Sequence, residues 1–450
     1  MVSRGPSPAS DGRSALAVPV GGLLCALAYG WLASQSTGYG AASLSELLLT
    51  CGFCGAITLL LWLGHHRGQL RLQPGMVFFW ALVFRLIGLC AYPVLEDDFF
   101  RYLWDGAMTV GHGTPYDIAP ARYFDQALPQ FANEELLGRI NYPEVATVYG
   151  PVTQWVFALS HVVAPGSVTA LQLIAAAADL ATASLLLRLA PIGGAFLYAF
   201  SPLLIKEFAM SAHIDAVGVL FMTLALLAFR ERHWTALGAL LALAAGVKVF
   251  ALVAAPFLLG RNLRAWASFV ATAVIVAMPF GLQNAWLPEG LSIMAGQWQF
   301  NAPLAHALQA LNLPGQLPII AFAAVWLGAY WRWMRIWNAH PAAAYHPDFS
   351  QLPLHWLLGL FLLALPVLNP WYLAWWLPFA AVRPTLTAWI ASGAVLLSYA
   401  SGINMATSEA TALQLYQLPV WVQVAEWGVI AVAVITDTHR AHSRTRNPQA

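Results

Sequence analysis

Glu96-Asp97-Asp98-Phe99-Phe100-Arg101-Tyr102-Leu103-Trp104-Asp105-Gly106 follows directly on the apolar run Gly75–Leu95. These carboxylates at the mouth of a membrane-type segment set the reading of everything around them, because the chain uses charge sparingly. Of its 450 residues, 9% are Asp, Glu, Lys or Arg and 60% are hydrophobic, whereas soluble domains carry roughly 25% charged residues. Ionisable groups near membrane depth are costly and are usually paired or functional. Working outward, the chain shows many apolar runs near the length of about 20 residues that a spanning helix needs. Many of its 20 Trp flank those runs, as interfacial belts do. The expectation is an all-α polytopic integral membrane protein with about 12–14 transmembrane helices. It forms one domain over 1–450, with an outer loop over 93–148 and a cytoplasmic tail over 437–450.

Other classes recede. A net charge of +1 gives no footing to a nucleic-acid partner. Met1 to Arg13 is polar and the run Ala15 to Ala33 after it is long enough to span, so the N-terminus does not read as a cleavable signal. Cys25, Cys51, Cys54 and Cys90 all lie in apolar runs. The Cys51/Cys54 spacing has no βαβ pattern or second pair around it, so neither disulfide nor cysteine metal site is expected.

Basic residues in short loops set orientation. Arg4 and Arg13, His65 to Arg71, Arg188, Arg230 and Arg232, Arg261 and Arg264, Arg332 and Arg335, Arg383 and the Arg440–Arg446 tail read as cytoplasmic. The acids then face outward, in the periplasm or exterior across the cytoplasmic membrane. Trp234–Gly260 reads as two short helices meeting at Lys248. Tyr149–Val163, about 15 residues long and too short to span, reads as a re-entrant or interfacial helix starting at Pro151. With this threading Glu96–Asp98, Lys206, Glu207, His213, Asp215, Lys248 and Asn369–Tyr372 fall on one side of the membrane.

Asp97 to Gly111 reads as an amphipathic helix, with Phe99, Tyr102, Leu103 and Val110 as its apolar stripe. Asp98, Arg101 and Asp105 lie opposite, spaced for an ordinary helix-surface ion pair. A helix start needs one capping acid, not three. Carboxylates beside an outward cavity, with cations deeper in, suit a group transfer: a carboxylate takes the acceptor's proton and cations stabilise a leaving phosphate. No phosphate-binding P-loop motif occurs. A lipid-linked phosphosugar needs none, because the bilayer delivers it.

At these residues the sequence resembles the GT-C-fold glycosyltransferases that use polyprenol-phosphate sugars. It is most similar to bacterial mannosyltransferases of the mycobacterial lipoglycan type, and distantly to the catalytic subunit of the glycosylphosphatidylinositol mannosyltransferase. The acidic block through Gly106 and Gly113-Thr114-Pro115-Tyr116 carry the resemblance. Asn141-Tyr142-Pro143, Thr147-Val148-Tyr149-Gly150-Pro151, Ser211-Ala212-His213-Ile214-Asp215-Ala216, Gly246-Val247-Lys248 and Asn369-Pro370-Trp371-Tyr372 extend it. It implies an inverting transfer of a hexose, mannose by the family's habit, from a polyprenyl-phosphate donor to a hydroxyl of a glycan or glycolipid acceptor. Many relatives carry Tyr-Pro-Pro where this chain has Tyr149-Gly150-Pro151. Gly150 is therefore expected to loosen the start of the re-entrant helix.

The candidate catalytic residues are Asp97, Asp98 and Glu96. Asp97 is preferred as the base because Asp98 lies closer to Arg101, and it is expected to be exposed. Arg101, Asp105, Tyr116, Tyr149, His213, Asp215, Lys248, Trp371 and Tyr372 are candidate substrate-binding residues, with Lys248 the phosphate ligand. Against these stand an N-cap with a surface ion pair for the acids, and a snorkelling side chain for Lys248. Arg85, within the third span, reads as a charge partner or phosphate ligand; Asp179 and Glu409 read as packing or loop features. The acids with His213 offer ligands to Mg2+ or Mn2+, although no spacing demands a metal. The rival class is a multi-pass lipid or sugar transporter or flippase, which also uses broken helices and charges at membrane depth. No internal repeat supports it.

Overall fold

The computed structural model describes residues 8–116, 118–128, 134–283, 290, 298–338, 352–401 and 418–446. Glu409 lies outside them. The regular elements among the described residues are helices, and the chain is an all-α polytopic membrane protein. Helices of eight residues or more are α1 (Pro8–Gln35), α2 (Leu44–His66), α3 (Pro74–Gly88), α4 (Asp98–His112), α5 (Pro151–Val163), α6 (Val168–Leu189), α7 (Ile192–Ala199) and α8 (Asp215–Arg230). There follow α9 (Trp234–Val247), α10 (Leu263–Gly281), α11 (Pro303–Ala310), α12 (Leu317–Asn338), α13 (Leu354–Ala364), α14 (Leu386–Ala394) and α15 (Val420–Arg446).

Seven segments among the described residues are long and apolar enough to cross a membrane. They lie on α1, α2, α6, the broken stretch Ile192–Met210, α10, α12 and α15. The apolar helices α3, α9 and α13 and the stretch Leu386–Ser401 are shorter. The larger number expected from sequence counts these short pieces as crossings.

Local sequence explains the breaks. Ser43 and Glu46 form a reciprocal capping box at the start of α2, satisfying two backbone donors that a helix start leaves open. Pro74 and Pro151 open α3 and α5, where a missing N–H costs nothing. After α7 the chain breaks before Pro202 and continues as a π-helical segment, Ile205–Met210. The carbonyl of Ala199, at the end of α7, accepts a 2.5 Å hydrogen bond from Arg85 Nη1. The same guanidinium pairs with Asp179 at 2.8 Å, both side chains almost fully buried. Arg85 thus ties α3, α6 and the end of α7 together. Its partner is Asp179, which is a charge partner and not filler.

The α4 helix is amphipathic, as expected, but its polar side is enclosed along with its apolar stripe. Every residue from Phe99 to Thr109 is buried. One face packs on α5, where Gly106 passes so close that a Cβ there would lie 2.4 Å from the Phe157 carbonyl oxygen. Over Arg101, the segment 141–145 presents three backbone carbonyls. That loop supplies the polar partners that water would otherwise provide. The α5 helix begins at Pro151, as expected; its 13 residues extend about 20 Å at 1.5 Å per residue, short of a bilayer core.

Candidate active site

The polar residues expected on one side of the membrane do converge. The end of α3 leads through Val94 and Leu95, the latter at φ +50°, into the acids that open α4. The tripeptide His213–Asp215 starts α8. Lys248 sits in extended conformation between α9 and a 3-10 turn, Val249–Val253, confirming the pair of short segments meeting there. Asn369 leads into a 3-10 turn, Pro370–Trp375. Tyr102, Tyr149, Thr153, Phe157, Ile214, Asp215, Val247 and Lys248 line one small cleft.

The three acids differ in environment. Asp97 occupies the N-cap position of α4 but makes no capping bond. Its carboxylate instead accepts from the Asn141 amide and, at 3.4 Å, from the Tyr39 hydroxyl. It is 2% exposed, not exposed as expected. Burial, then the neighbouring Glu96 and Asp98, hold its carboxyl well above the ordinary range. Glu96 is fully buried, with its carboxylate 3.7 Å from Lys206 Nζ, 3.2 Å from His213 Nε2 and 3.2 Å from the Tyr399 hydroxyl. Asp98 alone among the three keeps partial exposure. Burial and Glu96 push it up to about 7, against the opposing pull of Lys248 and Arg101 among its neighbours. The Tyr102 hydroxyl lies 3.5 Å from Asp98 Oδ2.

Lys248 ion-pairs with Asp215 at 2.7 Å, and the Trp375 indole N–H donates to the same Asp215 oxygen at 2.7 Å. The ammonium also stands 3.8 Å from the centre of the Tyr372 ring, a cation–π contact that is strongest where water is excluded. Lys248 retains 19% side-chain exposure, so its charge faces the cleft and is not snorkelling away from it.

His213 stacks on Trp371, ring centres 3.9 Å apart. Its Nδ1 is 2.9 Å from the Tyr102 hydroxyl and its Nε2 3.3 Å from Glu207. Glu207 in turn pairs with Lys206 at 3.1 Å. Glu96, Glu207 and His213 bring ligand-type atoms within 4.8 Å of one another, as do Glu96, Asp97 and Asp98. The first cluster already holds a cation, the Lys206 ammonium. In the second, Glu96 belongs to that same network and Asp97 is bound by Asn141 and Tyr39. No residue here is assigned as a metal ligand.

Other expected residues have supporting places. Arg101 makes no ion pair with Asp98 or Asp105; its guanidinium donates to the carbonyls of Asn141, Tyr142 and Val145. The three carbonyls out-compete a helix-surface pair because they converge on one fork of donors. Asp105 is buried and accepts from Thr147 and from Gln154 Nε2. The Tyr116 hydroxyl donates to the Tyr149 carbonyl at 3.0 Å. Gly150 is not a loosening residue: a Cβ there would lie 2.3 Å from the Gly246 carbonyl oxygen, so it lets the start of α5 press against the end of α9. Four residues of the site escaped sequence reasoning. Tyr102 looked like part of an apolar stripe, Asn141 like motif only, and Trp375 and Tyr399 were not singled out among the aromatics. The hydroxyl and indole N–H are the only signals that set the last two apart.

An all-helical membrane protein with a carboxylate and a paired lysine on one cleft is of the GT-C glycosyltransferase type. The family model described as alpha-(1->6)-mannopyranosyltransferase, N-terminal domain, matches residues 14–264, more than half of the chain, and the chain belongs to that family. The match takes in every cleft-lining residue named above; Trp371, Tyr372, Trp375 and Tyr399 lie beyond it. No curated protein and no solved structure matches the chain.

Proposed function

We propose that this membrane mannosyltransferase moves mannose from a polyprenyl-phosphate donor to a hydroxyl of a mannoside acceptor, on the outer face of the cytoplasmic membrane. The observation that carries the reading is that the Lys248–Asp215 pair lines one cleft with Tyr102, whose hydroxyl lies 3.5 Å from Asp98. Asp98 takes the proton from the acceptor hydroxyl, whose oxygen attacks the anomeric carbon. The bond from that carbon to the phosphate oxygen breaks, and polyprenyl phosphate leaves. Lys248, held by Asp215 and Trp375, meets the charge that grows on that phosphate. Attack from the face opposite the phosphate turns a β-linked donor into an α-linked product, and the family's description points to a primary 6-hydroxyl as acceptor.

Lys248 supplies a cation at the cleft, and the role of Mg2+ or Mn2+ is decided by chelation. Purified protein in nanodiscs, given polyprenyl-phosphate mannose and a mannoside acceptor in the presence of EDTA, should form an α-(1→6) linkage by NMR. Transfer from a nucleotide sugar instead, a β product, or loss of activity in EDTA restored by Mn2+ would each overturn the corresponding part. Orientation is tested with cysteines placed at Phe124 and Arg67 in a Cys90→Ser background. An impermeant maleimide should label the first from outside and not the second.

A further inference from the structure

The reading of Asp98 as base leaves a question of proton direction. The Tyr102 hydroxyl has one proton and two neighbours: His213 Nδ1 at 2.9 Å and Asp98 Oδ2 at 3.5 Å. We propose that Glu96 and Glu207 fix the tautomer of His213, so that Tyr102 donates to the imidazole and leaves the Asp98 carboxylate free to accept from the acceptor hydroxyl. His213 is then a positioning residue for the base, acting through Tyr102.

The argument runs from the far side of the ring. His213 Nε2 is fully buried and faces two carboxylate oxygens, Glu96 at 3.2 Å and Glu207 at 3.3 Å. Neither contact is aligned as a hydrogen bond, yet a bare nitrogen lone pair there would face two carboxylate oxygens, whereas an N–H turns its positive end toward them. Burial holds the imidazole down to about 4, so it is neutral and carries a single proton. With that proton on Nε2, Nδ1 is an acceptor. The shorter contact to Tyr102 takes the hydroxyl proton. Trp371 stacks on the imidazole and Phe157 on the phenol, at 3.9 and 4.7 Å between ring centres, so neither ring turns easily. Lys206 holds the two carboxylates in place, 3.1 Å from Glu207 and 3.7 Å from Glu96.

The consequence is chemical. A carboxylate that accepts a hydrogen bond from a neighbour is a weaker base. Withholding the Tyr102 proton keeps Asp98 basic and leaves its lone pairs for the acceptor. The remaining charged and titratable groups that bear on Asp98 are Glu96, Asp97 and Arg101 from its own segment, Tyr149, Lys248 with Asp215, and Tyr372. None of the variants below alters these.

The test is the acid limb of the pH–kcat/KM profile, which reports the base of the free enzyme. Tyr102→Phe removes the hydroxyl but keeps the ring. If the proton points to His213, this limb stays within about 0.3 pH units. If the proton instead points to Asp98, losing a hydrogen bond to a charged group raises the limb by about one to two pH units, and the inference falls. His213→Ala frees Tyr102 to donate to Asp98 and should lower the limb by about one to two pH units. The double variant should return it to the Tyr102→Phe position. A His213→Ala limb equal to wild type, with less protein recovered, would mark His213 as merely structural and overturn the proposal. Should His213→Ala fail to fold, the Tyr102→Phe arm decides alone. Asp98→Asn separates this inference from the reading it rests on. If that variant still transfers sugar at near wild-type rate, the base assignment itself fails. If it is inactive while Tyr102→Phe raises the limb, only the tautomer is wrong.

Discussion

Gly150→Ala tests whether the close approach of α5 and α9 builds the cleft. The added Cβ would lie 2.3 Å from the Gly246 carbonyl oxygen and 3.1 Å from its carbon. Ordinary contact begins at 3.4 Å, so the two segments must part by about 1 Å. Both colliding groups are backbone, and neither yields by changing rotamer. Tyr149 stands on one side of this contact and Val247 and Lys248 on the other, all lining the cleft. A misplacement of about 1 Å costs up to roughly 10²-fold in rate, and overpacking costs about 1–3 kcal/mol of stability. We expect kcat/KM to fall about 10- to 100-fold, with the melting temperature lower by a few degrees. Gly246→Ala is the comparison. Its Cβ meets Val152 Cγ2 at 2.5 Å, a buried methyl whose χ1 rotation costs less than parting two backbones, so its loss should be smaller. Steady-state kinetics and thermal unfolding in the same nanodiscs measure both. Wild-type kinetics in Gly150→Ala, or a reversed order of the two variants, would refute the reasoning.

The remaining expectations concern the charged groups. Asp98→Asn should lower kcat by roughly 10²–10⁴-fold, while Asp97→Asn should chiefly reduce the yield of folded protein, since Asp97 is locked to Asn141 and Tyr39. A larger kcat loss in Asp97→Asn returns the base to that residue. The base works deprotonated, so kcat/KM should rise with pH through about 7, where burial places Asp98; a flat profile from pH 5 to 8 contradicts this. Lys248→Ala removes a charge-assisted contact worth about 1.5–3 kcal/mol and should weaken donor use about 10- to 150-fold with acceptor KM unchanged; equal effects on both substrates would make Lys248 structural. Arg85→Met strands Asp179 as an unpaired buried charge and should cost about 3–5 kcal/mol. Adding Asp179→Asn should recover most of the stability, and failure to recover would show that the Ala199 carbonyl contact matters more than the ion pair.

The parts of the site that local pattern encodes were legible in sequence: the helix after the acids, the start of α5 at Pro151, the break at Lys248 and the gathering of polar groups at one end. Each follows from hydrophobic periodicity, proline or glycine punctuation, or the placement of basic loops. What escaped depends on partners distant in sequence. Arg85 meets Asp179 94 residues away, and Tyr399 reaches Glu96 across 303; no local spacing signals such pairs. The same limit explains why the enclosure of α4 was not foreseen. Its polar face looks solvent-facing from the helix alone, because periodicity reports polarity but not what satisfies it. In the fold the carbonyls of 141–145 satisfy Arg101, while Thr147 and Gln154 satisfy Asp105.

That enclosure also decides between the adjacent acids. Asp97 precedes the first helical residue, and its carboxylate lies within 4.8 Å of that of Asp98, so direction along the chain does not separate the two; their partners do. Sequence favoured Asp97 by setting Asp98 against Arg101. Arg101 turned out to be engaged by carbonyls, which removes the reason to discount Asp98. Asp97 turned out to be enclosed by Asn141 and Tyr39, which removes its access to an acceptor. The acid that stays partly exposed beside Tyr102, near Lys248, is the one a sugar hydroxyl can reach, and its environment leaves it close to the proton affinity that a base needs at neutral pH.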